Sequence, residues 1–177
     1  MIAFPQPVSR ANEQSVENFF EYVFENHFKP DFIDNAVHYN GQEIEILRTP
    51  LRQGCYNPCF WHMATRALNE GAHDEERVID EGRCSRIVWA KPTICATKKC
   101  LVWEKEKKGR ARIYLWANHS EEDNYLVALE RRELASGRRE IVLWTGFPVE
   151  YKSYRKKLLK EYNQYLSEQK PTPSEMV

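Results

Sequence analysis

The chain lacks the segments that place a protein in or across a membrane. Its 177 residues contain no run of about 18 apolar residues, the length that a membrane-spanning helix needs. The first ten residues also lack the apolar core of a secretory signal peptide. We therefore expect no membrane partner and a cytoplasmic location.

Glycine is scarce, with seven residues and no cluster, so a glycine-rich loop that cradles a phosphate is absent. No serine lies in a nucleophile-elbow pattern, and no aspartate-rich metal motif occurs. These absences argue against nucleotide-dependent, serine-hydrolase and metal-dependent chemistry. We expect no cofactor and no bound metal.

The five cysteines are odd in number, and without a secretion signal they indicate reduced thiols rather than a disulfide framework. Cys55, Cys59 and His62 could form a metal-ligand cluster with Cys84. However, the three-residue gap between the two cysteines and the lack of a second ligand pair make buried thiols the better interpretation.

The formal net charge is zero, but it is unevenly divided along the chain. Residues 1–82 hold 6 Lys and Arg against 14 Asp and Glu, whereas residues 83–177 hold 20 against 12. This asymmetry suggests a polyanionic partner for the C-terminal half. Alternatively, the two halves neutralise each other across a packed interface.

Four short segments rich in β-branched and aromatic residues predict strands at 101–103, 112–116, 125–129 and 141–144. The turns between them are too short for helical crossovers, so an antiparallel four-stranded meander is expected. Apolar residues at three- and four-residue spacing then predict a basic amphipathic helix over 151–167.

The N-terminal part predicts a helix over 13–27 and a small hairpin around Asn40-Gly41, after a loose lead-in over 1–12. Further along we expect a strand at 60–66, a loop at 67–74, a helical turn at 75–81 and a helix over 83–94 that Pro92 kinks or ends. The fold class is α+β, an antiparallel four-stranded meander packed by helices. Its predicted parts are an N-terminal extension (1–57), a main domain (58–169) and a disordered tail (170–177).

Several side chains suit cleavage of RNA without a metal ion. The ribose 2′-hydroxyl attacks the adjacent phosphate, a base takes its proton, an acid protonates the leaving oxygen and cations stabilise the developing charge. His62 is the candidate proton carrier, because an unperturbed histidine titrates near neutrality; a packed core histidine is the alternative. The other candidate catalytic residues are Arg83, Arg86 and Arg155 as phosphate contacts and Thr145 as a hydroxyl donor.

Trp89 lies between cationic residues and could stack on a base, although a core tryptophan with solvated neighbours is the alternative. Tyr151 lies one helical turn before Arg155, so both could reach a site beside Thr145. The candidate substrate-binding residues are Thr65, Arg66, Trp89, Lys91, Tyr151 and Lys156.

From about residue 60 to 165 the chain resembles the phage-associated branch of the barnase, EndoU, colicin and RelE (BECR) nuclease superfamily. The passages that carry the resemblance are FWHMAT at 60–65, RCSRIVWAKPTI at 83–94, RIYLW at 112–116 leading to YLVAL at 125–129, and LWTGFPVEY at 143–151 followed by RKKL at 155–158. The order of these passages is more specific than any one of them. Residues 1–57 do not match.

The resemblance implies a helix-plus-antiparallel-sheet fold and metal-independent ribonuclease activity of toxin or mobile-element type. By position, His62 matches the family's histidine, Arg83 and Arg86 its basic helix, and Thr145 its strand-end threonine. The implied partners are RNA, with tRNA as one candidate, and a cognate inhibitor or antitoxin protein. The alternative is a catalytically inactive module that keeps this scaffold and only binds RNA or protein.

Overall fold

The structure is a computed structural model that describes residues 1–52, 56–69, 76–107 and 109–169. Cys55 and the tail predicted over 170–177 lie outside the described residues. The α+β class is confirmed, because helices cover a large sheet.

The N-terminal helix α1 (Val16–Val23) begins where the Ser15 hydroxyl accepts a hydrogen bond from the Asn18 amide at 3.1 Å. A π-helical turn (Phe24–Phe28) continues it into α2 (Lys29–Phe32). The helix predicted over 13–27 is therefore confirmed in its middle, but it starts later and ends later. Pro30 lies in the first turn of α2, directly after the π-helical turn.

The Asn40-Gly41 turn is confirmed as a hairpin between β1 (His38–Tyr39) and β2 (Gln42–Glu45). Both turn residues have positive φ, 50° and 81°, as a two-residue hairpin turn requires. β2 then runs parallel to a strand of the main sheet, with Ile44 opposite Ile141. The hairpin thus extends the main sheet.

The main sheet contains β5 (Leu101–Lys107), β6 (Arg110–Asn118), β7 (Asn124–Glu133) and β8 (Arg139–Pro148), and consecutive strands pair antiparallel. With the hairpin, the strand order is β1-β2-β8-β7-β6-β5. The prediction of a four-stranded antiparallel sheet is therefore corrected to a mixed six-stranded sheet. The parallel pairing joins residues about a hundred positions apart, which no local pattern indicates.

The segment predicted as a strand at 60–66 is instead the helix α3 (Pro58–Ala64). Pro58 stands in its first turn, where a fixed φ favours helix, and Cys59, Phe60, Met63 and Ala64 are buried at helical spacing. Only Thr65 to Ala67 continue as a strand, β3 (Thr65–Ala67). It pairs with β4 (Arg77–Ile79) in place of the predicted helical turn.

The helix predicted over 83–94 is divided into α4 (Glu81–Ser85), a 3₁₀ turn (Ile87–Trp89) and α5 (Ala90–Cys95). Pro92 does not end α5, which continues to Cys95, because it lies in the first turn, where its missing amide costs no helical hydrogen bond. The last helix, α6 (Lys152–Glu168), confirms the prediction over 151–167.

Helices cover both faces of the main sheet. On one face, Phe19 of α1 and Phe60 of α3 share a core with Leu115, Val127 and Leu143 of the strands. On the other face, Leu158 of α6 packs with a smaller group: Trp103, Trp116 and Leu126 of the strands and Val149, which follows β8. Residues of the predicted N-terminal extension therefore lie in the same core as the main sheet.

The first residues, predicted as a loose lead-in, are also packed. Ile2 is buried, and its amide donates a hydrogen bond to His119 Nε2 at 3.0 Å. The Val8 amide donates to the Ser85 carbonyl at 2.8 Å. These contacts hold the chain start against residues that are far away in sequence.

Candidate active site

A cleft of about 590 Å³ runs beside the second half of β8. β2 pairs with β8 only as far as Val142. Within the described ranges, residues 143–148 of β8 therefore form an edge, and the cleft opens along it. This part of β8 also contains a β-bulge. Ala128 of β7 faces Thr145 and Leu129 faces Leu143, so Trp144 is the additional residue on β8.

The cleft is lined by side chains from α3, both strands of the small sheet, α4, β8 and the start of α6. Its polar and charged side chains, two of them carboxylates, are His62, Arg66, Asn69, Arg77, Asp80, Arg83, Thr145, Glu150, Tyr151 and Tyr154. Phe147, Trp144 and Leu68 are among its apolar walls. Such a mixture of cations, hydroxyls and aromatic rings fits a ligand that has both phosphates and bases.

His62 lies near the end of α3 and its ring stacks on the Trp144 ring, with centroids 5.6 Å apart and planes 27° from parallel. Trp144 also lies 4.5 Å from the Arg112 guanidinium carbon. The bulge that sets Trp144 apart on β8 therefore also places the surface on which the imidazole rests. His62 is half-buried and reaches the cleft from one wall.

Two arginines hold the backbone around His62. Arg83 Nη1 donates to the Thr65 carbonyl at 2.8 Å and to the His62 carbonyl at 3.3 Å. Arg77 Nη2 donates to the same two carbonyls, at 2.7 and 3.4 Å, and Arg77 Nε donates to the Thr65 hydroxyl at 2.8 Å. Cations at the C-terminus of a helix satisfy its last carbonyls and the negative end of its dipole. The pair therefore fixes the end of α3.

Arg83 is also a cation of the cleft wall, because its guanidinium lies over the Phe147 ring at 4.8 Å. Burial lowers the pKa of Arg83, and the nearby Asp80 carboxylate opposes this shift. An arginine remains protonated under such a shift, so the wall carries a permanent positive charge. Asp80 in turn accepts the Arg83 amide at 3.0 Å as the N-cap of α4.

The mouth of the cleft carries exposed and half-buried groups. Arg66 is 59% exposed, with its Nε 3.6 Å from Asp80 Oδ2, and Tyr151 is 69% exposed. Burial raises the pKa of Tyr154, so its phenol stays neutral and can donate a hydrogen bond near neutrality. Glu150 adds a carboxylate to the cleft lining, and its Oε1 lies 3.9 Å from Arg86 Nη1.

Five of the residues predicted for the site line this cleft together: His62, Arg66, Arg83, Thr145 and Tyr151. The sequence reasoning missed Arg77, Asp80, Glu150 and Tyr154. Asp80 could have been found from its place three residues before Arg83, the spacing of an N-cap aspartate. Arg77 carried no such signal, because its role depends on a strand pairing.

The other predicted residues lie outside the cleft lining. Arg155 binds the β6–β7 turn, where its Nη2 donates to Asn118 Oδ1 at 2.9 Å and to the Ser120 carbonyl at 3.3 Å. The expectation that Arg155 and Tyr151 reach one site beside Thr145 is therefore wrong for Arg155. Arg86 is not one of the lining residues: its guanidinium lies 5.5 Å from the Trp89 ring, and its Nη1 lies 3.9 Å from the Glu150 carboxylate.

Trp89 is only 4% exposed, because Phe4 stacks on its ring at 4.6 Å and its Nε1 donates to the Pro5 carbonyl at 2.8 Å. It has no free face for a base, so the alternative of a core tryptophan is correct. Lys91 forms an ion pair with Asp31 at 2.8 Å.

Thr65 is fully buried, and its hydroxyl donates to the Trp61 carbonyl, which makes it a structural residue beneath the cleft. Lys156 lies on the outer surface of α6, in a separate shallow groove that Leu159 and Lys160 also line. Neither side chain lines the cleft, so the predicted substrate contacts from these two residues are not found there.

The metal cluster of Cys55, Cys59, His62 and Cys84, which the sequence made less favoured than buried thiols, can be examined only in the part of the chain that the structure describes, which leaves out Cys55. In that part no group of three or more His, Cys, Asp or Glu side chains lies close enough together to hold a metal ion. Burial raises the pKa of Cys59 and of Cys84 to about 12, so both are protonated thiols near neutral pH.

Comparisons with protein-family models, with curated proteins and with solved structures find no match for this chain. Among the described residues, no helix combines the length and apolar character needed to cross a membrane.

Proposed function

We propose that the protein is a metal-independent endoribonuclease of toxin or mobile-element type, which binds RNA in the cleft beside β8. The observation that carries the proposal is the placement of His62 and Arg83 in one cleft, where the Arg83 guanidinium donates a hydrogen bond to the His62 carbonyl. The resemblance to the BECR nuclease superfamily points to the same chemistry.

In the proposed reaction, the 2′-hydroxyl of RNA attacks the adjacent phosphorus, and the bond to the 5′-oxygen of the next nucleotide breaks. This route needs one group to accept a proton and one to donate a proton. His62 serves as one of them. The second comes from the cleft lining, where the phenols of Tyr151 and Tyr154 and the carboxyl groups of Asp80 and Glu150 are candidates.

The remaining residues bind and stabilise. Arg66 is exposed enough to contact a phosphate directly, and Thr145 offers a hydroxyl donor at the bulge. Arg83 supplies positive charge beside the phosphate and holds the backbone of His62, so it acts in part as a positioning residue. Tyr151, at the mouth, offers a ring on which an unpaired base can stack.

A second candidate function is an RNA-binding module without catalysis. One observation in its favour is that His62 is the one described histidine in the cleft lining. Another is that Arg77 and Arg83 donate hydrogen bonds to backbone carbonyls of the protein itself. The two functions differ in whether RNA is cut.

Cleavage of cellular RNA should persist at an unchanged rate in excess chelator, because side chains alone supply the protons and positive charge in the proposed reaction. The measurement is incubation of the purified protein with total RNA, with and without chelator, followed by mapping of the cut ends. Loss of cleavage in chelator and its recovery with a divalent ion would refute the mechanism. RNA binding without any cleavage would favour the second function.

A further inference from the structure

Three arginines surround a buried carboxylate on the main sheet, outside the cleft. Glu130 of β7 is fully buried, and its Oε1 lies 3.1 Å from Arg110 Nη1 and 2.7 Å from Arg132 Nε. Its Oε2 lies 3.4 Å from Arg112 Nη2. Arg112 faces Glu130 across the β6–β7 pair, and Arg110 and Arg132 are each two residues further along, so all four side chains share one face of the sheet. We call them the Glu130 cluster.

The Glu130 cluster carries more positive charge than Glu130 can neutralise. Three guanidiniums against one carboxylate leave an excess of two positive charges. Among the described side chains, the carboxylates of Glu140, which faces Arg132, and of Glu161 are each paired with another cation, Arg138 and Lys105. The excess charge is therefore available to an anion.

The arginines also have hydrogen-bond donors that Glu130 does not use. A guanidinium has five N–H groups, and the side chain of Arg110 is 56% exposed while that of Arg132 is 26% exposed. Glu130 contacts Nη1 of Arg110 and Nε of Arg132, so the other N–H groups of both guanidiniums do not contact this carboxylate. Guanidiniums held in this way bind phosphate oxygens with little further loss of side-chain freedom.

The Glu130 cluster is connected to the cleft through Trp144. The Arg112 guanidinium lies 4.5 Å from the Trp144 ring, and that ring stacks with His62 and lines the cleft. Along β7, Ala128 faces Thr145 of the cleft and lies two residues from Glu130, about 7 Å of strand. Neighbouring phosphates of one extended RNA strand can span such a distance.

We propose that the Glu130 cluster is a second phosphate-binding site, which holds the backbone of the same RNA strand next to the nucleotides in the cleft. This inference rests on the proposed function, because the cleft must take RNA for the strand to continue over Trp144. It defines the substrate as single-stranded RNA that extends beyond the cleaved bond, since a single strand can follow the sheet edge from the cleft to this face.

The test measures how the affinity for a labelled oligonucleotide depends on salt. A single-stranded oligodeoxynucleotide is the probe, because it has phosphates and bases but no 2′-hydroxyl and is not cut by the proposed reaction. Each phosphate contact contributes a slope of about −0.7 to log K against log salt on a single strand. Arg110→Ala should therefore make the slope shallower by about 0.7, and Arg110→Ala with Arg132→Ala by about 1.4.

Arg139→Ala is the matched control, because Arg139 is a highly exposed arginine of the same sheet that is ion-paired with Glu133 at 3.6 Å. It faces Glu133 rather than Arg132 in the β7–β8 pair, so it belongs to the opposite face of the sheet from the Glu130 cluster. It should leave the slope unchanged. Arg110 is the most exposed arginine of the Glu130 cluster, and its replacement leaves Glu130 paired with Arg112 and Arg132. The thermal unfolding midpoint of Arg110→Ala should therefore equal that of the parent protein.

The proposal would be overturned if Arg110→Ala and the double variant kept the parent slope of log K against log salt. It would also be overturned if Arg139→Ala made that slope as shallow as Arg110→Ala does. Failure of the proposed function is a separate result: the parent protein then binds the oligodeoxynucleotide with the expected slopes but leaves RNA uncut. Cleavage of RNA combined with unchanged slopes would keep the ribonuclease and remove the second phosphate site.

Discussion

His62→Ala should slow the cleavage step by roughly 10²- to 10⁴-fold while RNA affinity and thermal stability stay close to those of the parent protein. That factor is the usual contribution of one positioned acid or base. The expected retention of the fold follows from the half-buried position of His62 at the cleft wall, where its ring rests on Trp144. Single-turnover cleavage and thermal unfolding, measured on the same preparation, provide the two readouts.

His38→Ala is the control, because His38 is an exposed histidine of β1 and does not line the cleft. It should match the parent in both measurements. If His62 were instead a packed structural histidine, its loss would cost about 1–3 kcal/mol of stability. A His62→Ala protein that melts early, but cuts RNA at the parent rate where folded, would remove the proton carrier from the account.

Arg83→Ala should lower both stability and turnover. Its guanidinium donates to the carbonyls of Thr65 and His62, so its loss leaves the end of α3 with fewer donors and should cost about 1–3 kcal/mol of unfolding free energy. Turnover should fall by about 10²- to 10³-fold, because a cation beside the phosphate is lost and His62 is held less firmly. Chemical denaturation and single-turnover rates, corrected for the folded fraction, check both effects.

Arg66→Ala is the matched variant within the same cleft. Because Arg66 is 59% exposed, its replacement should change stability by less than about 0.5 kcal/mol and weaken RNA binding. Arg83→Lys should recover part of the charge effect but not the two carbonyl hydrogen bonds, since lysine cannot reproduce a planar guanidinium. Parent turnover in folded Arg83→Ala would show that Arg83 has only a structural role.

Elements defined by local signals were predictable from the sequence. The Asn40-Gly41 turn needs positive φ at both residues, and the short turns between β5, β6, β7 and β8 allow only pairing between neighbours. The pairing of β2 with β8 was not predictable, because it joins Ile44 to Ile141 and depends on the whole core.

The segment around His62 shows why short apolar runs mislead. Its aromatic residues indicate a strand by composition, yet in a run of seven residues helix and strand cannot be distinguished by periodicity. Pro58 was the available signal for a helix start, since proline favours the first turn. The helix places His62 at the cleft wall with its backbone carbonyl held by Arg77 and Arg83.

The candidate site was predictable where its residues belong to elements that surround the cleft, as for His62, Arg83 and Thr145. The prediction was wrong for side chains that already contact a residue far away in sequence. Phe4 covers Trp89, and Asn118 binds Arg155, and neither contact follows from residues nearby in sequence. Trp144 was missed as a site residue because its position depends on a bulge in β8 that appears only in the strand register.

We propose that the protein cuts RNA through attack by the 2′-hydroxyl. The most direct measurement uses a short RNA that the parent protein cuts at a mapped bond, and the same RNA with a single 2′-deoxy nucleotide on the 5′ side of that bond. The account predicts a 2′,3′-cyclic phosphate and a 5′-hydroxyl at the cut ends of the first RNA, and no cut at that bond in the second. Cleavage of the deoxy-substituted bond, or ends that carry a 5′-phosphate, would contradict it.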